Sequence, residues 1–261
     1  KIDAIAGVTA VAGTNVVTVT NATGVSEIVE LTTITVTDAG GGAVGGGGDP
    51  GAFAVTTTGT TGYTNITVNG MTDQEIDVYS ADTVTARLTD SSGDSDAMTI
   101  NLKSMLADRA AAQTVGSIDI ADSIETLNLS ATGMKTGTAA TQKTLTTLAA
   151  DASLTTMNLT GSDKLTIGTT TASKLANINA GTYTGDLGLP SVATLAQTIT
   201  TGSGNDTLTM GANLTGADVI DLGGNTVTAA GTMGKDEVTT TGNQGTSVSA
   251  AKLQLSGVET L

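Results

Sequence analysis

Four apolar anchors, Met157, Ile178, Ile199 and Ile220, stand 21 residues apart three times running without a gap. Gly181, Gly202 and Gly223 follow the last three anchors at one shared offset. A second apolar series runs in phase: Leu165/Ile167, Leu187/Leu189, Leu208/Met210, then Val227 and Val248. Two short strands per period of about 20 residues is the mark of a stacked repeat, in which each unit buries its apolar face against the next. Thr-rich chains produce alternation by chance, but a gapless triple spacing with Gly in register does not arise that way easily. The expected fold class is all-β, a parallel β-solenoid with rungs of about 20 residues and at most one or two short helices.

Composition fits a thin coil. Thr occupies 54 of 261 positions and Gly 34, while Phe53, Tyr63, Tyr79 and Tyr183 are the only aromatics. A narrow core admits Val, Ile, Leu and Ala, outward Thr suits a strand's solvent face, and Gly suits corners. The same counts exclude several functions. With no Cys and no His there is no Cys/His zinc site, haem histidine, Ser-His-Asp triad or thiol nucleophile. A net charge of -15 and so few rings argue against nucleic acid as a partner. No apolar run approaches a membrane span.

Short Val/Ile/Leu–Thr alternations bounded by Gly, Asn and Asp run along most of the chain. Helical spacing is confined to Asn101 to Gln113 and, more weakly, Gln142 to Ala152. The organisation expected is an irregular β region over 1–100, either early rungs or a separate β domain, with a Gly-rich loop at 40–50. A helix-containing transition over 101–152 and a solenoid over 153–261 follow. The chain opens at Lys1 without a signal-peptide pattern, which suggests a processed chain, a fragment, or export without an N-terminal signal.

Acidic residues divide unevenly, 19 Asp against 6 Glu. Asp favours turns and offers hard oxygen ligands. Thr201 to Thr209, TGSGNDTLT, carries Gly202, Gly204, Asp206 and Leu208 at the spacing Gly-x-Gly-x-Asp-x-Leu. Gly216-Ala-Asp218-Val-Ile220 and Gly234-Lys-Asp236-Glu-Val238 repeat its second half, and Gly161-Ser-Asp163-Lys-Leu165 does so faintly. These turns admit two readings: cation ligands, or carboxylates that cap turns by accepting backbone N–H groups.

The nonapeptide resembles the RTX calcium-binding repeat, with Thr201 departing from the Gly of its first position. Ser123-Ile-Glu-Thr-Leu-Asn-Leu129 and Gly257-Val-Glu-Thr-Leu261 are similar to strand openings of RTX-type bacterial surface-layer proteins, and the likeness spans roughly 83–261. It implies an RTX-like β-roll binding Ca²⁺ through Gly202, Gly204, Asp206, Gly216, Asp218, Asp221, Gly234 and Asp236. Glu125 and Glu259 are further ligand candidates, or members of turn and strand-edge hydrogen bonds. It also implies type I secretion to a Gram-negative cell surface, with copies of itself and lipopolysaccharide or other surface glycans as partners.

Three functions follow in order. The first is a structural lattice or filament subunit assembled with calcium. The second is an adhesin or repeat module that binds cells or glycans. The third is a β-helix polysaccharide-active enzyme, which would have to use pairs such as Asp94/Asp96 or Asp218/Asp221. Scattered lysines and only Arg87 and Arg109 make the third the weakest, so the chain is expected not to be an enzyme.

Overall fold

The computed structural model describes residues 8–13, 16–21, 33–37, 53–58, 65–71, 75–78, 81–88, 93–103, 112–120, 123–133, 142–150, 152–190, 195–225, 235–241 and 254–258. These residues hold strands and turns and no helix. In chain order the strands are β1 (Val8–Gly13), β2 (Val16–Asn21), β3 (Thr33–Thr37), β4 (Phe53–Thr58) and β5 (Asn65–Met71). Then come β6 (Glu75–Val78), β7 (Ala81–Leu88), β8 (Ala97–Leu102), β9 (Gln113–Ile120) and β10 (Thr126–Ala131). Next are β11 (Gln142–Ala150), β12 (Thr156–Gly161), β13 (Lys164–Thr170), β14 (Asn177–Asn179) and β15 (Leu187–Leu189). The last five are β16 (Thr198–Thr200), β17 (Thr207–Gly211), β18 (Val219–Asp221), β19 (Glu237–Thr240) and β20 (Gln254–Ser256).

They form two sheets. The first takes β1, β2 and then every even strand to β20; the second takes every odd strand from β3 to β19. β1 and β2 pair antiparallel, and every other pairing is parallel. From β2 on, successive strands alternate between the sheets, so each pair of strands forms one layer against the layer before it. This arrangement is consistent with a parallel β-helix. Strands from the first hundred residues lie in the same two sheets as the rest.

The 21-residue anchors are register partners in the first sheet. Met157 pairs with Ile178, Ile178 with Ile199, and Ile199 with Ile220, and Leu255 continues the column. All four anchors are buried. Strand β10 shows the cause: Leu127, Leu129 and Ala131 face inward while Thr126, Asn128 and Ser130 are only half-buried. Period-two alternation sends the apolar set to one side, and parallel stacking aligns it into a single core. That core includes Ile100, Leu127, Leu145, Leu165, Ile178 and Ile199.

The period is not uniform. In the first sheet, residues of like register are 29 and 30 apart at Thr99–Asn128 and Asn128–Asn158, 21 apart from β12 through β18, and 35 apart from Ile220 to Leu255. The 30-residue layer between β10 and β12 carries the nine-residue β11, whereas the 21-residue layer between β14 and β16 carries the three-residue β15.

The helix expected over Gln142 to Ala152 is instead strand β11, which runs parallel between β9 and β13. Leu145 and Leu148 point into the core at 0% exposure. Parallel neighbours on both sides override a helical spacing of three. Of the candidate helix at Asn101 to Gln113, Asn101 and Leu102 end β8, Gln113 opens β9, and 104–111 lie outside the described residues, as does the Gly-rich loop at 40–50. The second apolar series also departs from expectation. Leu208 pairs with Val238 of β19, while Val227 and Val248 lie outside the described residues.

Candidate functional site

Each layer has two corners where the chain enters a sheet, and polar side chains collect there. Asp163, Asp186, Asp206 and Asp236 each stand immediately before a second-sheet strand, β13, β15, β17 and β19. Before first-sheet strands stand Asp96, Glu125, Thr155, Gln197 and Asp218. At a corner, backbone N–H groups leave one ladder and have not yet joined the next, so they need acceptors.

At the second-sheet corner, Asp206 Oδ1 accepts the backbone N–H of Leu187 at 2.8 Å, 19 residues back. Asp236 Oδ1 accepts the backbone N–H of Asp206 at 2.7 Å, 30 residues back. Asp186 Oδ1 accepts the backbone N–H of Asn205 at 2.9 Å and its amide group at 3.2 Å. The first-sheet corner works alike. Asp218 Oδ1 accepts from the Gln197 N–H at 2.7 Å, and Gln197 Nε2 donates to Leu175 O at 3.0 Å. Glu125 Oε2 accepts from the Asp96 N–H at 2.8 Å, a strand-edge bond across 29 residues.

The sequence-derived ligand set is therefore divided. Asp206 and Asp236 share the second-sheet corner, at 1% and 0% exposure. Asp218, also buried, lies on the first-sheet corner, with half-buried Gly216 in the turn before it. Asp221 is exposed at the end of β18, its Oδ1 accepting from Gly223 N–H at 3.1 Å. Gly234 and Glu259 lie outside the described residues. The 18-residue spacing of Asp218 and Asp236 misleads because a 21-residue layer in the first sheet meets a 30-residue step in the second.

The glycines of the nonapeptide serve close stacking. A Cβ on Gly202 would lie 1.8 Å from Tyr183 O, and one on Gly204 would lie 2.1 Å from Gly185 O. Gly202 O in turn accepts the Gly224 N–H at 2.9 Å. The carbonyl of the layer before thus occupies the space a side chain would need. Gly223 adds a φ of +71°, which a side chain rarely adopts.

Among the described residues, enclosed side-chain oxygens that meet no hydrogen-bond geometry include Thr201 Oγ1, Asn205 Oδ1, Asp206 Oδ2 and Asn225 Oδ1. Three belong to the nonapeptide turn, and Asn225 follows Gly224, which is bonded to that turn. Burial pushes the Asp206 carboxyl above its ordinary value, opposed by the nearby Thr201 hydroxyl and the Leu187 N–H. Buried oxygens without donors are costly unless something outside the chain reaches them. Oxygen-only donors with a carboxylate among them are the chemistry of a hard cation such as Ca²⁺. Among the described residues no group of three acidic side chains surrounds such a position, so hydroxyl and amide oxygens would have to complete it.

A second polar cluster lies one to three layers earlier. Lys143 Nζ donates to Leu102 O at 2.5 Å and stands 3.6 Å from Asp163 Oδ2. The Tyr183 hydroxyl, fully buried, donates to the backbone O of Asp163 at 2.6 Å. Burial first, and then the carboxylates of Asp163, Asp206 and Asp186, push the Tyr183 phenol up. Sequence reading passed over Lys143, Tyr183 and Gln197. Lys143 sits at an inward position of β11 that the strand alternation would have marked, whereas Tyr183 and Gln197 lie in turns between strands.

On the outer face of the first sheet, Asn128, Asn158 and Asn179 form an amide column. Asn158 Nδ2 donates to Asn128 Oδ1 at 2.8 Å, and Asn179 Nδ2 donates to Asn158 Oδ1 at 2.9 Å. No helix among the described residues is long and apolar enough to cross a membrane. No protein-family model, curated protein or solved structure matches the chain.

Proposed function

We propose that the chain is a structural subunit of an extracellular assembly, a bacterial surface layer of the RTX kind, built as a parallel β-solenoid stiffened by calcium. The observation that carries this reading is the unbroken parallel stacking of both sheets from β2 to β20. Such a stack converts sequence into length, and its outer faces repeat at the strand spacing of about 4.8 Å. Repeating faces suit contacts with further copies of the chain.

Calcium enters through the enclosed oxygens of the 201–206 turn and through charge. Asp206 supplies a carboxylate oxygen, with Thr201, Asn205 and Asn225 as neutral donors. Fifteen net negative charges on a thin stack repel one another, and bound cations relieve that. The buried ends of Asp218 and Asp236 hold backbone N–H groups, so in this reading they shape the corners and Asp206 leads the ion site.

Electron microscopy of the purified chain with and without calcium tests the function. Ordered sheets or filaments that dissolve on chelation support it. Order that persists after exhaustive chelation removes calcium from the account. A chain that stays monomeric with calcium and binds cells or glycans favours an adhesin module instead.

A further inference from the structure

Lys143 projects inward from β11, in register with Gln113 and Leu165 of the neighbouring strands. It is 3% exposed, and its one charged neighbour within ion-pair distance among the described residues is Asp163, whose side chain is 4% exposed. Taking both charges out of water costs several kcal/mol per ion. Burial pushes the Lys143 amine down to about 8, against the pull of Asp163.

Both groups are held in place. Lys143 Nζ is pinned by Leu102 O, and the Asp163 backbone is gripped by the Tyr183 hydroxyl. Gly185 packs so closely on Asp163 O that a Cβ there would lie 2.5 Å away. Nζ and Oδ2 stand 3.6 Å apart, near the contact range from which held groups react as though highly concentrated.

We propose that Lys143 and Asp163 join in an intramolecular isopeptide bond. The proton of the ion pair moves from Nζ to the Asp163 carboxylate. The Nζ lone pair then forms a bond to Cγ. The C–OH bond breaks, and the hydroxyl leaves with a second proton from Nζ as one water. No oxidant or cofactor takes part. The remaining N–H keeps its bond to Leu102 O, and both buried charges disappear. A shallow recess lined by Leu102, Gln113, Lys143 and Thr144 lies beside the Lys143 side chain. The product ties β11 to the corner before β13, fastening two successive layers in a chain that has no Cys for disulfides.

Mass spectrometry of the whole denatured chain tests this. The expected mass is lower than the sequence mass by one water. Trypsin should fail to cut after Lys143, giving one looped peptide, 136–164, whose fragments place the bond between the two side chains. A full sequence mass with normal cleavage after Lys143 overturns the proposal. Lys143→Arg should restore the lost water. A water loss that survives in Lys143→Arg marks a cyclised Asp elsewhere and also overturns it. The wild-type peptide decides the matter even if that variant fails to fold.

Discussion

Asp218 and Gln197 are joined across one layer: Asp218 Oδ1 accepts the Gln197 N–H at 2.7 Å while Oδ2 accepts the Thr215 N–H at 2.6 Å. One carboxylate therefore ties its own turn to the layer before. Asp218→Ala would leave two N–H groups at a buried corner without acceptors, and the expected loss of stability is about 3 kcal/mol. Urea unfolding should show a lower midpoint at unchanged slope. Asp218→Asn retains one acceptor and should lose less.

Glycine requirements differ sharply along one turn. Gly202→Ala drives a methyl into Tyr183 O, a backbone atom that cannot move aside, so a cost of about 3 kcal/mol or more is expected. Gly224 has nothing within 4 Å of its Cβ position. Gly224→Ala should change stability by no more than about 0.5 kcal/mol. Parallel thermal melts of the two variants check the contrast.

The pH response of Asp206 has a definite sign. Its folded value is raised by burial, so without a cation the folded state binds the proton more tightly than the unfolded chain does. Its contribution to stability is complete below about 4, the unfolded value, and is lost as pH rises through the folded value. Asp206→Asn should remove this slope from the pH dependence of the urea midpoint. Saturating calcium favours the ionised carboxylate and should reverse the slope.

Asn158 gives an amide hydrogen to Asn128 and receives one from Asn179. Asn158→Ala removes both bonds on a half-exposed face and should cost about 1 kcal/mol. Asn158→Asp keeps the acceptor for Asn179 but sets a carboxylate against Asn128 Oδ1, and should cost more at neutral pH than at pH 3.

Much of the fold is legible where layers are short. Met157, Ile178, Ile199 and Ile220 recur at one spacing because each layer there closes in 21 residues, and all four meet in register. The spacing fails as a guide where layers lengthen. Val238 pairs with Leu208 across 30 residues, so the even period that singled out Val227 no longer applies. Gln142 to Ala152 reads as helical because Leu145 and Leu148 are three apart, yet the neighbours β9 and β13 set the conformation of β11. At the site, Gly202, Gly204 and Asp206 were visible as a motif. Their shared use was not, because the partners Tyr183, Gly185 and Leu187 come from the preceding layer at distances no local motif encodes.

The central claim is that the 201–206 turn closes on a calcium ion and so fastens successive layers. Amide hydrogen exchange over residues 183–210 and 220–226, with calcium and then with chelator, tests it most directly. The account predicts stronger protection with calcium at Leu187, Ser203, Asp206 and Gly224, whose N–H groups bond across layers. It also predicts that Asp206→Asn abolishes the difference. Identical exchange in saturating calcium and in chelator would contradict it.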